Sequence, residues 1–349
     1  MKRLYLFLTL IIAAVTLNAQ PQGYYNGTEG LTENALKTAL HNIIKNDNHT
    51  SYSGLWNAYQ QTDKKPNGKV WDIYSDVPNG TPPYEFTFGT DQCGSYNGEG
   101  DCYNREHLWA QSWTNNDSDE KTDLHHVYPT DGWVNNKRGN YAFGEVSNAA
   151  WTSQNGGKLG ANTVSGYNGT VFEPIDEYKG DIARAMMYVS VRYYQEDSSW
   201  STSDMSNKSV IKDWAMTMLL RWHREDPVDE KERNRNNKVY NIQGNRNPFV
   251  DYPDFAELIW IPGWVGVDEN EYAVLVNVWP NPATSTINIK GENLETVYVF
   301  NAMGQLVLTL DVSDDEQHSL DVSGFNSGIY FMNVISQNGN SVLKKVVVQ

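Results

Sequence analysis

The spacing of hydrophobic and polar positions changes at about residue 270. Upstream, three stretches repeat apolar side chains every three to four residues, which predicts amphipathic helices. They are marked by Leu36, Leu40 and Ile43, by Ile182, Met186, Val189 and Tyr193, and by Val210, Trp214, Met218 and Trp222. Strands are less clear here, with residues 69–74 and 84–88 as candidates. The mixture predicts an α+β class for residues 20–269.

Downstream, short segments alternate apolar and polar residues and are separated by turns that contain Gly or Asn. These segments are residues 286–290, 297–300, 305–310, 328–334 and 342–348. Alternation with a period of two predicts strands, and closely spaced strands predict a small all-β sandwich over residues 270–349. A linker is expected near residues 266–270.

The first 19 residues are typical of a secretory signal peptide. Lys2 and Arg3 precede an almost entirely apolar run, residues 4–17, which is followed by polar Asn18. This run is shorter than the ~20 residues that span a bilayer, which disfavours the alternative of a membrane anchor. We therefore expect residues 1–19 to be removed and the mature chain to be exported.

The chain has two cysteines, Cys93 and Cys102, on either side of a glycine-rich segment. Two cysteines exclude a disulfide scaffold and a four-thiolate zinc site. In an oxidising compartment we expect them to form a disulfide rather than to remain free thiols.

The charge balance is acidic, with 27 Lys and Arg against 43 Asp and Glu and a formal net charge of −16. This argues against binding of nucleic acid through bulk charge but leaves room for a local basic groove. Residues 231–246 are the most basic stretch, with one acid, Glu232, among five basic residues: Lys231, Arg233, Arg235, Lys238 and Arg246. The stretch could line a phosphate groove, and a solvated basic turn is the alternative.

Candidate chemistry is concentrated between residues 103 and 141. Three of the seven histidines lie there, His107, His125 and His126, close to the carboxylate of Glu106 and the carboxamide of Asn135. Imidazole, carboxylate and carboxamide together suit metal-assisted hydrolysis, and hard oxygen ligands favour Mg²⁺ over zinc. A metal could lie between a strand that ends near His107 and a short helix over residues 131–140.

Five separated segments resemble the bacterial endonuclease I family, and they follow the order of that family. They are residues 70–75, 105–107, 123–140, 180–185 and 243–250. The resemblance spans residues 31–258 and implies a ββα-metal nuclease core embedded in a mostly helical domain. It implies a secreted Mg²⁺-dependent endonuclease that cleaves DNA with little sequence preference, with RNA left open as a second substrate.

The resemblance also implies roles for single residues. His107 becomes the general base, Glu106 and Asn135 become the metal ligands, and Arg138 takes a catalytic role at the phosphate or a structural one. The family also uses an arginine near the scissile phosphate from a segment that here contains Lys121 but no arginine. Candidates for that arginine are Arg105, Arg138 and Arg246, and candidates for wider contacts to nucleic acid are Arg105, Arg233, Arg235, Lys238 and Arg246.

The C-terminal 75 or so residues resemble the sorting domain of the type IX secretion system. The matching segments are residues 280–282, 300–304, 327–330 and 344–345. The resemblance implies the type IX machinery as a partner and a final location outside the cell or attached to its surface. We expect no transmembrane span in the mature chain, because no stretch after the signal peptide is long and apolar enough. An ordinary β-sandwich binding module is the alternative.

Two other functions compete with the nuclease. With 12 Trp and 21 Tyr, an exported polysaccharide-binding protein is the main alternative, although a binding protein does not need the Arg-Glu-His and Asn-x-x-Arg motifs. A metallopeptidase is disfavoured because the His-Glu-x-x-His pattern is absent.

Overall fold

The computed structural model describes residues 20–261, 276–291, 293–301, 306–312, 317–337 and 341–349. The chain divides into two compact units, Met1–Gly266 and Val267–Gln349, and each is described by itself. The predicted signal peptide, the predicted linker at 266–270 and the turn at 302–304 lie outside the described residues.

The first unit is rich in helices, most of them after residue 130. Its described helices are α1 (Glu33–Ile44), α2 (Leu55–Thr62), α3 (Gly132–Arg138), α4 (Lys179–Arg192), α5 (Asp213–Glu225), α6 (Glu230–Gln243), α7 (Pro248–Asp251) and α8 (Phe255–Trp260). Short 3₁₀ helices lie at Gln111–Trp113, Glu120–Thr122 and Asp176–Tyr178. Helix α4 is buried along its whole length and packs against α1, α5 and α7.

The three predicted helices are present, with one shift. Helix α5 begins at Asp213, because Val210 belongs to a short strand instead. The prediction of strands at 69–74 and 84–88 is wrong. These segments meet through a single backbone hydrogen bond, from Val70 N–H to the Phe86 carbonyl at 3.0 Å, and their side chains pack around Tyr103 rather than forming a ladder.

The strands of the first unit form small sheets. They are β1 (Tyr103–His107), β2 (Val127–Asp131), β3 (Ala142–Phe143), β4 (Val146–Thr152), β5 (Lys158–Asn162), β6 (Thr170–Glu173), β7 (Ser206–Asn207) and β8 (Val210–Ile211). Strands β1 and β2 form an antiparallel pair, β7 and β8 form another, and the remaining four follow the order β3-β6-β5-β4.

Strands β1 and β2 lead directly into helix α3, and this junction positions the site. In the antiparallel register Tyr103 faces Asp131 and His107 faces Val127. Asp131 ends β2 and caps α3, since its side chain accepts a hydrogen bond from Val134 N–H at 2.8 Å. Capping by Asp satisfies an otherwise unpaired N–H of the first turn. The helix therefore starts where the strand ends, which keeps α3 against β1.

The second unit is all β. Its strands are β9 (Asn277–Trp279), β10 (Thr286–Lys290), β11 (Leu294–Asn301), β12 (Leu306–Asp311), β13 (Gln317–Asp321), β14 (Gly328–Ser336) and β15 (Ser341–Val348). They form two antiparallel sheets of order β13-β10-β9 and β12-β11-β14-β15, which share a core containing Ile287, Val297 and Met332. The predicted all-β character is confirmed, and β9 and β13 are additional strands.

No helix in the described part of the chain has both the length and the apolar character needed to cross a membrane.

Candidate active site

A cleft of about 260 Å³ lies where strand β1 ends beside helix α3. It is lined by Arg105, Glu106, His107, Ala110, Gln111, Ser112, Asn135, Arg138, Gly139 and Asn140. Five residues singled out in the sequence therefore meet here. They come from two segments about 30 residues apart, which the β1–β2–α3 junction brings together.

His107 lies at the end of β1 with a buried imidazole ring. Its Nε2 is 3.0 Å from the carbonyl oxygen of Lys121. Because a carbonyl only accepts, Nε2 carries the ring proton and Nδ1 is left as an acceptor. The side-chain nitrogen of Gln111, another residue that lines the cleft, lies 2.9 Å from Nε2 and 3.1 Å from Nδ1. Burial, followed by the nearby His126, lowers the pKa of His107 to about 3, so the ring is neutral at physiological pH.

Glu106 precedes His107 and is almost completely buried. Its Oε1 accepts hydrogen bonds from the Tyr74 hydroxyl at 2.8 Å and from Arg138 Nη1 at 3.1 Å. Burial raises the pKa of Glu106 to about 7, against the opposing effect of Arg138. Any further positive charge in the cleft would favour the ionised form of Glu106.

Arg138 is fully buried at the end of α3; its two terminal nitrogens donate to protein groups, and its Nε has no hydrogen-bond partner among the described residues. Besides Glu106, it donates to the carbonyl oxygens of His107 at 2.7 Å and Leu108 at 2.6 Å. Its guanidinium lies 4.6 Å from the centre of the Phe143 ring. These bonds tie the last turn of α3 to the end of β1, so the geometry favours a positioning role for Arg138.

Asn135 faces the cleft from the middle of α3. Its amide nitrogen donates to Oδ1 of Asn104 at 2.7 Å, which leaves its own carbonyl oxygen turned away from Asn104. Asn104 was missed in the sequence, although it directly precedes the Arg-Glu-His motif.

Arg105 differs from most arginines of the first unit. Seven of the described arginines form ion pairs with carboxylates within 4 Å: Arg138, Arg184, Arg192, Arg221, Arg224, Arg235 and Arg246. Arg105 and Arg233 are the described arginines outside this set. Arg105 donates instead to the carbonyl oxygen of Tyr52 at 2.8 Å, and its guanidinium lies 3.6 Å from the centre of the Tyr52 ring. Tyr52 was also missed, because nothing local to it in the sequence connects it to this motif.

The basic stretch 231–246 is mostly helix α6, and none of it lines the cleft. Arg235 is buried against Asp63, with Nε to Oδ1 at 2.7 Å, and Arg246 is buried against Asp251. This burial favours structural roles for both. Arg233 and Lys238 are exposed, and their contact with nucleic acid stays a prediction.

The other two histidines of the cluster lie behind the cleft. His125 Nε2 is 3.2 Å from the Asn245 carbonyl oxygen, which joins the segment after β1 to the loop after α6. His126 is fully buried beside Glu120, with its ring centre 6.1 Å from that of His107. Both therefore support the His107 region from within the protein.

The side chains that line the cleft offer oxygen ligands, which suit Mg²⁺ better than zinc. Among the described residues, no three His, Cys, Asp or Glu side chains are grouped so as to hold a metal ion. The candidate ligands are the Glu106 carboxylate and the Asn135 amide oxygen, both hard donors. One carboxylate and one amide suit Mg²⁺, which keeps several water ligands and binds substrate phosphates, whereas zinc takes nitrogen and sulfur ligands.

The predicted disulfide between Cys93 and Cys102 is confirmed. It closes a loop that packs on the start of α3: the Gly100 N–H donates to Asp131 Oδ2 at 2.7 Å. A Cβ atom on Gly132 would lie 2.6 Å from the Tyr96 ring of this loop, so only glycine allows the close approach.

Comparison with known proteins gives two family matches. The Endonuclease I family matches residues 32–254, and the family of secretion system C-terminal sorting domains matches residues 277–349.

Among similar proteins is an extracellular ribonuclease of Bacillus subtilis (strain 168), 36% identical over 69% of this chain and 80% of the relative. The extracellular ribonuclease of Bacillus amyloliquefaciens is 36% identical over 71% of this chain and 81% of its own length. An extracellular deoxyribonuclease of Aeromonas hydrophila is 28% identical over 37% of this chain and 48% of its own.

Proposed function

Since the chain belongs to the endonuclease I family, we propose that its cleft hydrolyses phosphodiester bonds in both DNA and RNA, with Mg²⁺ bound by Glu106 and Asn135. The observation that carries the proposal is that His107, whose Nε2 is bonded to the Lys121 carbonyl oxygen, lines the same cleft as these two oxygen ligands. The ribonuclease and deoxyribonuclease names of its relatives support both substrates.

The order of elements supports a ββα-metal core. Strand β1 carries Glu106 and His107, β2 pairs with it, and α3 returns Asn135 to the end of β1. In this arrangement the base and one metal ligand are neighbours on one strand, so their separation is fixed by the backbone. Asn135 is fixed by its bond to Asn104, on the same strand.

His107 acts as the general base. The Lys121 carbonyl holds the proton on Nε2, so Nδ1 takes a proton from the attacking water. Gln111 lies beside the ring in the cleft, with its amide nitrogen within hydrogen-bond distance of both ring nitrogens. The lowered pKa of His107 keeps the ring unprotonated before the reaction. It also means that the ring binds the proton taken from water only weakly.

Mg²⁺, when bound, would stabilise the negative charge that develops on the phosphate oxygens. Glu106 is held for this role by Tyr74 and Arg138, and a cation beside it favours its ionised form. Arg105 is the arginine we assign to the backbone of the substrate strand, because it lines the cleft without a carboxylate partner among the described residues.

The alternative of a polysaccharide-binding protein loses its main support. Many of the large aromatic side chains, including Trp109, Trp222 and Tyr59, are fully buried in hydrophobic cores. The aromatic richness therefore contributes largely to packing in the first unit.

The protein is exported, as predicted. The sorting-domain match at the C-terminus and the extracellular relatives confirm a location outside the cell or at its surface. Extracellular nucleic acid is therefore the substrate pool we propose.

The test is digestion of plasmid, linear duplex DNA, single-stranded DNA and RNA by the purified chain. Cleavage of both DNA and RNA with Mg²⁺, abolished by a chelator, is expected. Absence of cleavage of every substrate would refute the proposed function, and cleavage unaffected by the chelator would refute its metal dependence.

A further inference from the structure

Next to Arg105, which lines the cleft, two cations lie against a single aromatic ring, and we propose that this wall binds the backbone phosphate next to the scissile one. Its members are Tyr52, Arg105 and Lys121, named here the Tyr52 subsite. The proposal rests on the proposed nuclease function and adds a second binding position for the substrate strand. Its ligand is a phosphodiester group of DNA or RNA.

Both positive charges lie against the Tyr52 ring. The guanidinium carbon of Arg105 lies 3.6 Å from the centre of the Tyr52 ring, and Nζ of Lys121 lies 4.7 Å from the same centre. Neither cation has a carboxylate within 4 Å among the described residues. A phosphate bound beside this ring would be attracted by both positive charges.

The Arg105 side chain is fixed before any ligand arrives. Its Nη1 is held by the Tyr52 carbonyl oxygen, and its guanidinium also lies 4.4 Å from the centre of the Trp56 ring. Its buried Nε has no hydrogen-bond partner among the described residues. A guanidinium that is stacked and anchored on one side presents its remaining N–H groups without a large loss of side-chain entropy on binding.

Lys121 connects the subsite to the proposed general base. Its main-chain carbonyl accepts the hydrogen bond from His107, while its side chain reaches the Tyr52 ring. The Tyr52 ring also lies beside the His107 ring, with centres 6.1 Å apart and planes inclined by 30°. A phosphate bound on this wall is therefore held at a fixed distance from the base, which is what positions the neighbouring phosphate for attack.

The surroundings make this wall unusual in an acidic chain. With a net charge of −16, the chain neutralises most of its described arginines in ion pairs. The two cations of the Tyr52 subsite have no carboxylate within 4 Å among the described residues, and Arg105 lines the cleft. A local surplus of positive charge of this kind attracts a polyanion even when the whole molecule repels it.

The experiment measures binding without cleavage. Fluorescence anisotropy of a short labelled DNA duplex in the presence of EDTA gives the affinity of the whole chain at several salt concentrations. Replacing Lys121 by Gln should lower the slope of log K against log salt by about 0.9, the value for one lost phosphate contact on duplex DNA. Lys121→Arg should retain the wild-type slope, because it retains the charge.

Tyr52 is tested by a matched pair. Tyr52→Leu removes the ring that holds both cations and should weaken binding about fivefold, because their side chains must then be ordered when the ligand binds. Tyr52→Phe keeps the ring and should bind within about twofold of wild type. Lys45→Gln, at the end of α1 and outside the cleft, is the control for removing one positive charge elsewhere.

The outcomes separate this proposal from the nuclease function. If wild type binds duplex DNA and cleaves it with Mg²⁺, but Lys121→Gln gives a parallel salt line, the Tyr52 subsite is wrong and the function stands. Wild-type affinity in Tyr52→Leu likewise overturns it. If wild type neither binds nor cleaves nucleic acid, both proposals fail. Thermal unfolding shows whether each variant is folded. If Tyr52→Leu does not fold, the salt dependence of Lys121→Gln alone tests the Tyr52 subsite.

Discussion

Replacing Arg138 by Met decides between a positioning role and direct contact with substrate. The variant keeps a long apolar side chain against Phe143 but removes all three hydrogen bonds that Arg138 donates, to Glu106 and to the carbonyls of His107 and Leu108. Removing one partner of a buried ion pair typically costs about 3–5 kcal/mol, because the other partner stays buried. Here Glu106 can take up a proton, since its pKa is already raised to about 7, so the lower end of that range is expected.

A loss of about 3 kcal/mol corresponds to a fall of about 6–12 °C in Tm for a unit of this size. Urea and thermal unfolding followed by circular dichroism give both quantities. Arg233→Met is the matched control, because Arg233 is exposed and has no carboxylate within 4 Å among the described residues; a change within about 0.5 kcal/mol is expected.

Activity of Arg138→Met is then measured at a temperature at which it is fully folded. If Arg138 has a positioning role, kcat should fall with little change in KM. Glu106 and the end of β1 would be displaced, while the proposed phosphate contacts of Arg105 and Lys121 would remain. A variant as stable as wild type that shows only a raised KM would refute the positioning role and would place Arg138 at the substrate phosphate.

Three further predictions follow from the site and the buried charges. His107→Ala should lower kcat by about 10²–10⁴, the usual contribution of acid–base catalysis, and unchanged turnover at saturating Mg²⁺ would exclude His107 as the base. Glu106→Ala should weaken Mg²⁺ binding in calorimetric titration more than Asn135→Ala, because it removes a charge as well as a ligand; unchanged affinity in both would remove these ligands. Burial, followed by Arg184, lowers the pKa of His223 to about 4, so between pH 6.5 and 4 the unfolded chain binds a proton that the folded chain does not. Wild type should therefore lose up to about 3 kcal/mol more than His223→Gln as the pH falls through that window, and equal losses in chemical unfolding would contradict this.

The parts of the site that sequence predicts well are those that lie close together along the chain. Glu106 and His107 are adjacent, and Asn135 and Arg138 share one face of a short helix, so local patterns suffice to group them. The absence of proline over residues 131–140 allows a short helix there, and the structure adds that Asp131 caps it. The sorting domain was predictable for a similar reason, since its alternating strands are local patterns, although β9 and β13 are too polar or too short to show clearly.

The parts that sequence does not predict depend on contacts between distant segments. Tyr52 reaches Arg105 from more than 50 residues away, and nothing in its own surroundings marks it. The basic stretch in α6 looks like a phosphate groove until its partners are known. Asp63 and Asp251 neutralise Arg235 and Arg246, and neither acid can be assigned to its arginine from spacing along the chain.

The distribution of charge explains how an acidic chain can act on a polyanion. At physiological ionic strength charges are screened beyond about 8 Å, so the net charge of −16 acts weakly on a nucleic acid that is already at the cleft. Within that distance the substrate meets Arg105 and Lys121, whose charges no described carboxylate cancels within 4 Å. Long-range attraction is therefore small, and binding depends on a few close contacts whose geometry the Tyr52 ring sets. Phosphate contacts of this kind contain no base information, so the proposed site predicts cleavage with little sequence preference.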